Sequence, residues 1–422
     1  MGILIRGASL GGERRDILIE QDRITRIAPS IGGAFPAGLL AIEAEGLAAV
    51  PSLANAHAHS AMTLLRGVAE DMELMPWLTG AIWPVEARMT DEDVYWGTRL
   101  AAVEMARSGT TVCNDMYLHP EALARAARDS GLRFVLSYAL IDGLDEAVGA
   151  AQRAACAAFF ERLPDCGPLS RFHLAAHSVY ATTAESIRLL ARQARERGLL
   201  FHVHLAETRA EDEGCRARTG LSPAAYLDSL GALGPWTVAA HCLWLDERDF
   251  DLLGERGVAI AHNPVSNMKL ASGPAFDYEA ARRRGLRVLL GTDGAASNNS
   301  LDLFADMKIA GLLQKQHYGD SRRFPVREIL EAASARGHEV FGTGGGRIVE
   351  GAAADLLLVD LDRASMVPCH DLEANLVYSG SGAVVDTTIC AGKALMLHRK
   401  VEGEAEVFAE ARSRAARLSR RT

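Results

Sequence analysis

The sequence predicts a closed parallel (β/α)8 barrel of the TIM type, with a small β-sandwich domain built from both chain termini. Two observations predict it: apolar runs alternate with amphipathic helical segments eight times in the middle of the chain, and strand-like patterns occupy both ends. The 422 residues, 49% of them hydrophobic, can bury a core of that size. We expect the barrel at 50–345, the split sandwich at 1–49 and 346–405, and a C-terminal helix or tail at 406–422.

The two ends of the chain carry the patterns of the small domain. Short runs of aliphatic residues flank the polar turn Gln21-Asp22-Arg23, which is typical of a β-hairpin, and strand-like runs return after residue 346. The candidate strands of this domain are 3–5, 16–20, 24–27, 354–359 and 384–390.

Eight apolar runs are the strand candidates of the barrel, namely 50–57, 110–117, 133–141, 171–179, 199–206, 236–243, 258–262 and 286–292. The predicted helices between and after them include 91–107, 121–130, 184–197, 246–256, 301–316 and 326–341. Several helices close with glycine, which favours the left-handed conformation of a helix C-cap. Active sites of this architecture form at the C-terminal ends of the strands, so polar side chains there are the first functional candidates.

Composition favours a small-molecule partner. The formal net charge is −9, which disfavours a nucleic-acid backbone or an anionic membrane surface as the main partner. The N-terminus reaches Arg6 too soon for a signal peptide, and no run approaches the roughly 20 apolar residues of a membrane span. Seven cysteines without a Cys-x-x-Cys pair favour reduced thiols and a cytoplasmic protein.

Histidines and one aspartate follow the apolar runs where metal ligands are expected. His57 and His59 lie two apart on a strand and share a face, while His204, His241 and Asp293 end three other predicted strands. Imidazole and carboxylate donors suit zinc or ferrous iron, with room for a water molecule. A single His-x-His pair could equally be two satisfied polar residues at a strand end. The convergence of all five residues predicts a metal site.

Glu207 and the distribution of lysine refine this prediction. Glu207 lies three residues beyond His204, where it could move a proton between the water and a leaving group, or merely favour the start of a helix. No lysine precedes Lys269, so a carbamylated lysine cannot bridge two ions on an earlier strand. We therefore expect one ion. His202, two residues before His204, is expected to pack in the barrel interior.

Five segments carry a resemblance to a known family. They are Pro-Ser-Leu-Ala-Asn-Ala-His-Ala-His (51–59), Met-Thr-Leu-Leu-Arg-Gly (62–67), Ile-Trp-Pro-Val-Glu-Ala (82–87), His-Asn-Pro-Val-Ser-Asn-Met-Lys-Leu (262–270) and Leu-Gly-Thr-Asp-Gly-Ala-Ala-Ser-Asn-Asn-Ser-Leu (290–301). The chain resembles the amidohydrolase superfamily, and within it the methylthioadenosine/S-adenosylhomocysteine deaminase group.

The resemblance implies a role for each candidate residue. It implies that one divalent metal, with zinc expected first and Fe2+ or Mn2+ as alternatives, is bound by His57, His59, His204 and Asp293. His241 would then act on the water or the attacked centre instead of binding the metal. Asp293 would also accept the water's proton, and Glu207 would deliver a proton to a ring nitrogen of the substrate.

The resemblance also implies a substrate and its contacts. The implied reaction is hydrolytic removal of the 6-amino group from an adenosine-type nucleoside, with release of ammonia. Glu86 would bind ribose hydroxyls, His177 would contact the nucleoside, and Trp77, with Trp83, would lie in a lid over the ligand. By the same analogy a homo-oligomer is plausible, and a neighbouring subunit could complete the site.

The segment after the third predicted barrel strand departs from the pattern of members that accept S-adenosylhomocysteine. It has no Lys or Arg from Phe134 to Gln152, whereas a carboxylate tail would need such a partner. We therefore expect a neutral 5′ substituent, as in 5′-methylthioadenosine, 5′-deoxyadenosine or adenosine. The alternatives are an aminohydrolase or halohydrolase of another nitrogen heterocycle, namely S-adenosylhomocysteine, an s-triazine, guanine or a pterin, and a non-catalytic barrel that only binds a ligand.

Overall fold

The computed structural model describes residues 2–33 and 38–419. The strands are β1 Gly2–Leu10, β2 Glu13–Glu20, β3 Arg23–Ala28, β4 Leu40–Glu43, β5 Leu47–Pro51, β6 Leu53–His59, β7 Thr110–Tyr117, β8 Arg133–Leu140, β9 Arg171–Ser178, β10 Phe201–Leu205, β11 Thr237–His241, β12 Ala259–His262, β13 Arg287–Leu290, β14 Asp293–Gly294, β15 Leu356–Asp360, β16 Val385–Cys390, β17 Lys393–Leu397 and β18 Lys400–Val401.

The helices connect these strands and cover the outside of the barrel. They are α1 Leu74–Trp77, α2 Trp83–Glu86, α3 Asp91–Arg107, α4 Pro120–Ser130, α5 Glu146–Glu161, α6 Ala184–Arg197, α7 Arg209–Thr219, α8 Pro223–Ser229, α9 Glu247–Arg256, α10 Pro264–Lys269, α11 Tyr278–Arg283, α12 Leu303–Tyr318, α13 Val326–Ala333, α14 Ala335–Val340, α15 Leu372–Tyr378 and α16 Glu404–Ser419. None of the helices in the described part of the chain is long and apolar enough to cross a membrane.

The central strands form the predicted parallel barrel. Strands β6 to β13 pair in chain order, and β14 returns to pair with β6, with Asp293 opposite Ala58. The (β/α)8 prediction is therefore confirmed. The run expected as one strand at 50–57 is two strands, because Ser52 separates β5, which pairs elsewhere, from β6.

The last barrel strand is interrupted where it closes the ring. Gly291 and Thr292 separate β13 from β14, and Thr292 N donates to the carbonyl of His57 at 3.1 Å. A Cβ atom at position 291 would lie 2.8 Å from the backbone nitrogen of His57. Glycine at position 291 is therefore needed for this segment to approach β6 closely. The close approach brings Asp293 beside the end of β6.

Both chain termini build one further sheet, which we call the terminal sheet and define as β1–β5 with β15–β18. Its order is β18-β17-β16-β15-β5-β1-β2-β3, with β4 paired to β1, so hydrogen bonds join all nine strands. Its interior is aliphatic, and residues such as Ile5, Ile19 and Leu358 are fully buried.

The last two predicted helices differ from the sequence prediction. The helix expected at 326–341 is two helices, because Ser334 has a non-helical backbone and its hydroxyl donates to the carbonyl of Ser52 at 2.6 Å. The C-terminal helix begins at Glu404 instead of 406, and Glu404 pairs with Arg107 of α3 at 2.9 Å. Residues 420–422 of the helix or tail predicted at 406–422 lie outside the described residues.

Candidate metal centre and active site

The C-terminal ends of the barrel strands, here called the barrel mouth, bring the predicted ligand residues together. The Nε2 atoms of His59 and His204 are 3.3 Å apart, although they come from β6 and β10. Asp293 Oδ1 lies 3.4 Å from His57 Nε2 and 3.2 Å from His59 Nε2. Four side chains that are up to 236 positions apart in sequence (57 and 293) thus point at one small volume.

Main-chain carbonyl groups orient two of these imidazoles. His59 Nδ1 lies 2.5 Å from the carbonyl oxygen of Met116, and His204 Nδ1 lies 2.7 Å from that of His177. A carbonyl can only accept, so each Nδ1 must carry the hydrogen, and in the neutral ring each Nε2 keeps its lone pair. Two imidazole lone pairs therefore face each other, which is the arrangement that a cation between them stabilises.

His57 is held by another histidine. Its Nδ1 lies 3.0 Å from His202 Nε2, while its own Nε2 is buried without a hydrogen-bond partner. Burial lowers the pKa of His57 to about 4, so the ring is neutral at physiological pH. His202 is buried as expected, but it also orients a candidate ligand. Its shared strand face with His204 was the available signal in the sequence.

Three of the distances between donor atoms fit ligands of one metal ion. Bonds of about 2.0–2.1 Å to nitrogen and oxygen separate the ligand atoms of a tetrahedral zinc by roughly 3.3–3.4 Å. The observed distances of 3.2, 3.3 and 3.4 Å match this value. Burial and the neighbouring His177 hold the pKa of His204 well below its usual range, as a neutral metal ligand requires. The residues present therefore fit the expected ion.

Two serines hold the carboxylate of Asp293. The hydroxyl groups of Ser266 and Ser297 donate to Oδ2 at 2.6 and 2.9 Å, which leaves Oδ1 facing the histidines. Asp293 also has a φ of 64°, a left-handed conformation that non-glycine residues rarely adopt. Both serines lie inside the motifs quoted above, but no pattern in the sequence indicated their direction.

His241 borders both the ligand cluster and Glu207. A nitrogen of its ring lies within 4.8 Å of ring nitrogens of His57 and His204. Its Nδ1 lies 2.7 Å from Asn267 Oδ1 and 3.8 Å from Glu207 Oε1. The structure thus brings His241 to the metal cluster and to the acid at the same time.

Glu207 is buried beside this cluster. It is 5% exposed, and its Oε1 accepts a hydrogen bond from the hydroxyl of Ser272 at 3.1 Å. Burial raises the pKa of Glu207, although attraction to His241 acts in the opposite direction. A raised pKa extends the protonated form of a carboxyl group to higher pH, which suits it to donate a proton.

The predicted substrate contacts line one cavity above the cluster. Trp77, Glu86 and His177 all border it, together with Glu207. Burial raises the pKa of Glu86, and burial lowers that of His177 to about 3. The cavity holds about 70 Å³. That is room for a few water molecules at about 10–15 Å³ each, so the cavity has to widen to admit a larger ligand.

Further residues of this cavity were not anticipated from the sequence. Tyr117 and Met116 end β7, and Tyr180 follows β9 with its ring 5.8 Å from that of His177. All three lie at or just beyond the C-terminal end of a barrel strand, where active sites of this architecture form, so their position was a usable signal.

The chain belongs to the amidohydrolase family, whose model matches residues 48–395. It is 46% identical to a 5′-deoxyadenosine deaminase of Methanoregula boonei, over 90% of this chain and 86% of the relative. It is 39% identical to the 5-methylthioadenosine/S-adenosylhomocysteine deaminase 1 of Archaeoglobus fulgidus, over 99% of both chains. The structure of an adenosine deaminase from Xanthomonas campestris with bound zinc superposes with a TM-score of 0.90 and 31% identity, over 99% of this chain and 98% of that chain.

Proposed function

We propose that the protein is a metal-dependent aminohydrolase that removes the 6-amino group of adenosine-type nucleosides and releases ammonia. The observation that carries the proposal is the convergence of the His57, His59 and His204 Nε2 atoms and Asp293 Oδ1 at the barrel mouth, beside the buried carboxyl group of Glu207. The names of the relatives favour a nucleoside over the other nitrogen heterocycles.

One divalent ion would be held by four side chains, which are His57, His59, His204 and Asp293. Zinc is the first candidate because nitrogen and oxygen donors at this spacing suit it and a similar structure contains it, with Fe2+ and Mn2+ as alternatives. When bound, the ion would supply Lewis acidity that lowers the pKa of a water from about 15.7 towards 7.

Two different side chains would carry out the two proton transfers of the reaction. Asp293 would accept the proton of the attacking water, since two serine hydroxyls fix its carboxylate in place. Glu207 would deliver a proton to the ring nitrogen, because burial favours its protonated form. His241 would orient the attacked centre from its position between the two groups.

The cavity would hold the nucleoside through Glu86 at the ribose, His177 at the nucleoside and Trp77 in the lid. None of the described residues that line it is Lys or Arg, and apolar Leu118 and Ile141 form part of its wall. The carboxylate tail of S-adenosylhomocysteine would find no cation there. A methylthio or methyl group carries no charge, so its burial needs no such partner. A neutral 5′ substituent is therefore our proposed preference.

We propose a substrate class and a cellular compartment for the enzyme from its net charge and its cysteines. A net charge of −9 favours a small-molecule substrate over nucleic acid. All seven cysteines are free, which is consistent with a reducing compartment such as the cytoplasm. A homo-oligomer is a proposal by analogy, and light scattering on the purified protein tests it.

An ammonia-release screen with metal analysis of the same preparation tests the function. The panel is 5′-methylthioadenosine, 5′-deoxyadenosine, adenosine, S-adenosylhomocysteine, guanine, a pterin and melamine. We expect the highest kcat/KM for the three nucleosides with neutral 5′ groups and about one metal per chain. A higher kcat/KM for S-adenosylhomocysteine would refute the substituent preference, and activity on melamine alone would refute the nucleoside assignment.

A further inference from the structure

A second buried acid lies behind Glu207. Glu211 is 4% exposed and is not among the described residues that line the cavity. Its Oε1 accepts from the backbone nitrogen of Ala206 at 3.0 Å, and its Oε2 accepts from that of Glu207 at 2.9 Å. One side chain thus binds two consecutive main-chain amides at the residue that we assign as the proton donor.

This contact is not part of an ordinary helix cap. Glu211 is the third residue of α7, and its own backbone nitrogen donates to the hydroxyl of the N-cap residue Thr208 at 3.2 Å. In a capping box the acid would bond back to the N-cap amide. Glu211 instead reaches past Thr208 to Ala206 and Glu207, the first two of the three residues between β10 and α7.

The same peptide segment is held from its other side. The carbonyl oxygen of Ala206 accepts from the backbone nitrogens of Leu243 and Trp244 at 3.0 and 2.9 Å. These two residues follow β11, which ends at His241. Ala206 has a φ of 49°, a conformation that costs free energy unless its surroundings impose it. Glu211 and the loop after β11 therefore clamp a strained turn.

We propose that Glu211 is the positioning residue of the active site, which fixes the main chain at 206–207 so that the Glu207 carboxyl group meets the substrate ring. The inference rests on the proposed function of Glu207. Removing either hydrogen bond leaves a buried amide unpaired and frees the turn. A displacement of about 1 Å at a reacting group can cost about 100-fold in rate.

A double-mutant cycle tests the coupling between the two acids. Glu211→Gln keeps the shape of the side chain, but its amide group has one acceptor oxygen where the carboxylate has two. One of the two main-chain amides therefore loses its partner. We expect kcat to fall by about 100-fold in the wild-type background, with KM changed by less than about threefold. In the Glu207→Gln background the same substitution should cost less than about threefold, because the group it positions is already inactive. Equal losses in both backgrounds would overturn the proposal.

Asp249→Asn is the matched control. Asp249 is also a buried acid at the third position of a helix, but its carboxylate binds Ser222 and the N-cap amide of Asp246 at the start of α9. We expect this variant to keep the wild-type kcat. If Asp249→Asn lowers kcat as strongly as Glu211→Gln does, then loss of any buried acid lowers the rate and the proposal fails.

Amide hydrogen exchange gives a readout that does not need turnover. In Glu211→Gln we expect the amides of Ala206 and Glu207 to exchange at least about tenfold faster, with the metal content unchanged. Unchanged exchange would overturn the proposal. If the wild type releases no ammonia, the proposed function fails, and the exchange result still decides whether Glu211 fixes this turn. If Glu211→Gln does not fold, Glu211→Asp enters the same cycle and the same exchange measurement.

Discussion

The barrel mouth and the terminal sheet bury opposite kinds of residue. At the mouth, His57, His204, Glu207 and Asp293 are almost completely buried although each is polar or ionisable. In the terminal sheet the buried cluster is made of isoleucine, leucine and alanine. Both regions consist of strands from distant parts of the chain, so topology does not explain the difference.

The comparison shows that the barrel mouth has a cost in folding free energy that the terminal sheet does not have, because its buried groups are ionisable. Burying an ionisable group costs free energy unless hydrogen bonds or an ion compensate for it, whereas burying aliphatic side chains stabilises the fold. At the mouth the compensation is specific: serines bind Asp293, and main-chain carbonyls bind His59 and His204. We therefore expect substitutions at the mouth to change metal binding and turnover, and substitutions in the terminal sheet to change the free energy of unfolding.

The largest effect is expected for His204→Ala, which removes a predicted metal ligand. Bound metal should fall well below one per chain, and activity should drop by roughly 10,000-fold or more because the water keeps its pKa of about 15.7. Metal analysis and ammonia release measure the two effects. His173→Asn is the control, because His173 is a buried histidine near the start of β9 that binds the backbone nitrogen of Leu200. Full metal content in His204→Ala would contradict the assignment.

Glu207→Gln should separate metal binding from proton transfer. We expect metal content to stay near one per chain while kcat falls by about 1,000-fold, which is within the range for loss of a general acid. Burial raises the pKa of Glu207. The protonated form therefore extends to higher pH than usual, and wild-type kcat should fall as pH rises through that pKa.

The matched control for this prediction is Glu213→Gln, an exposed acid on α7 that pairs with Arg209. It should keep both the rate and the pH profile of the wild type. An alkaline decline of kcat that persists unchanged in Glu207→Gln would show that another group donates the proton.

Leu358→Ala should produce the opposite result, in the terminal sheet. Leu358 is fully buried on β15, so the smaller side chain should lower the free energy of unfolding by about 3 kcal/mol while kcat and metal content stay unchanged. Urea unfolding measures the loss, and Arg26→Ala on the exposed side of β3 is the control. A large fall in kcat for the folded Leu358→Ala protein would break the comparison between the two regions.

The smallest effect concerns pH and Asp306, a fully buried acid behind the mouth. Burial raises the pKa of Asp306 to about 8 from 3.8. Between these values the folded state binds a proton that the unfolded state does not, so stability should decrease as pH rises from 4 to 8. Asp306→Asn cannot ionise, and it should lose less stability than the wild type between pH 6 and 8.

Urea unfolding at these two pH values checks the Asp306 prediction. Asp320→Asn is the control, because the pKa of Asp320 is lowered to about 2 by Arg322 and the group is ionised in both states above pH 6. The pH dependence of Asp320→Asn should equal that of the wild type. A slope in Asp306→Asn as steep as the wild-type slope would show that Asp306 does not titrate in this window.

Much of the fold could be predicted because it depends on local patterns. The alternation of apolar runs and amphipathic helices indicated the barrel, and glycine indicated helix ends such as Gly198, which has a φ of 64° after α6. The break at Ser334 could not be predicted, since it depends on a hydrogen bond to Ser52, 282 positions away. The joining of the terminal strands into one sheet also depends on long-range pairing.

The sequence by itself determined which residues stand at the strand ends and hence which chemistry is available. His57, His204, Glu207 and Asp293 could be named from their spacing, because strand side chains alternate and active sites of barrels lie at C-terminal ends. Only the tertiary structure decided the partners of these groups. His202 orients His57, and Glu211 binds the backbone of Glu207. Both contacts depend on side-chain positions that tertiary packing sets and that no local sequence pattern indicates.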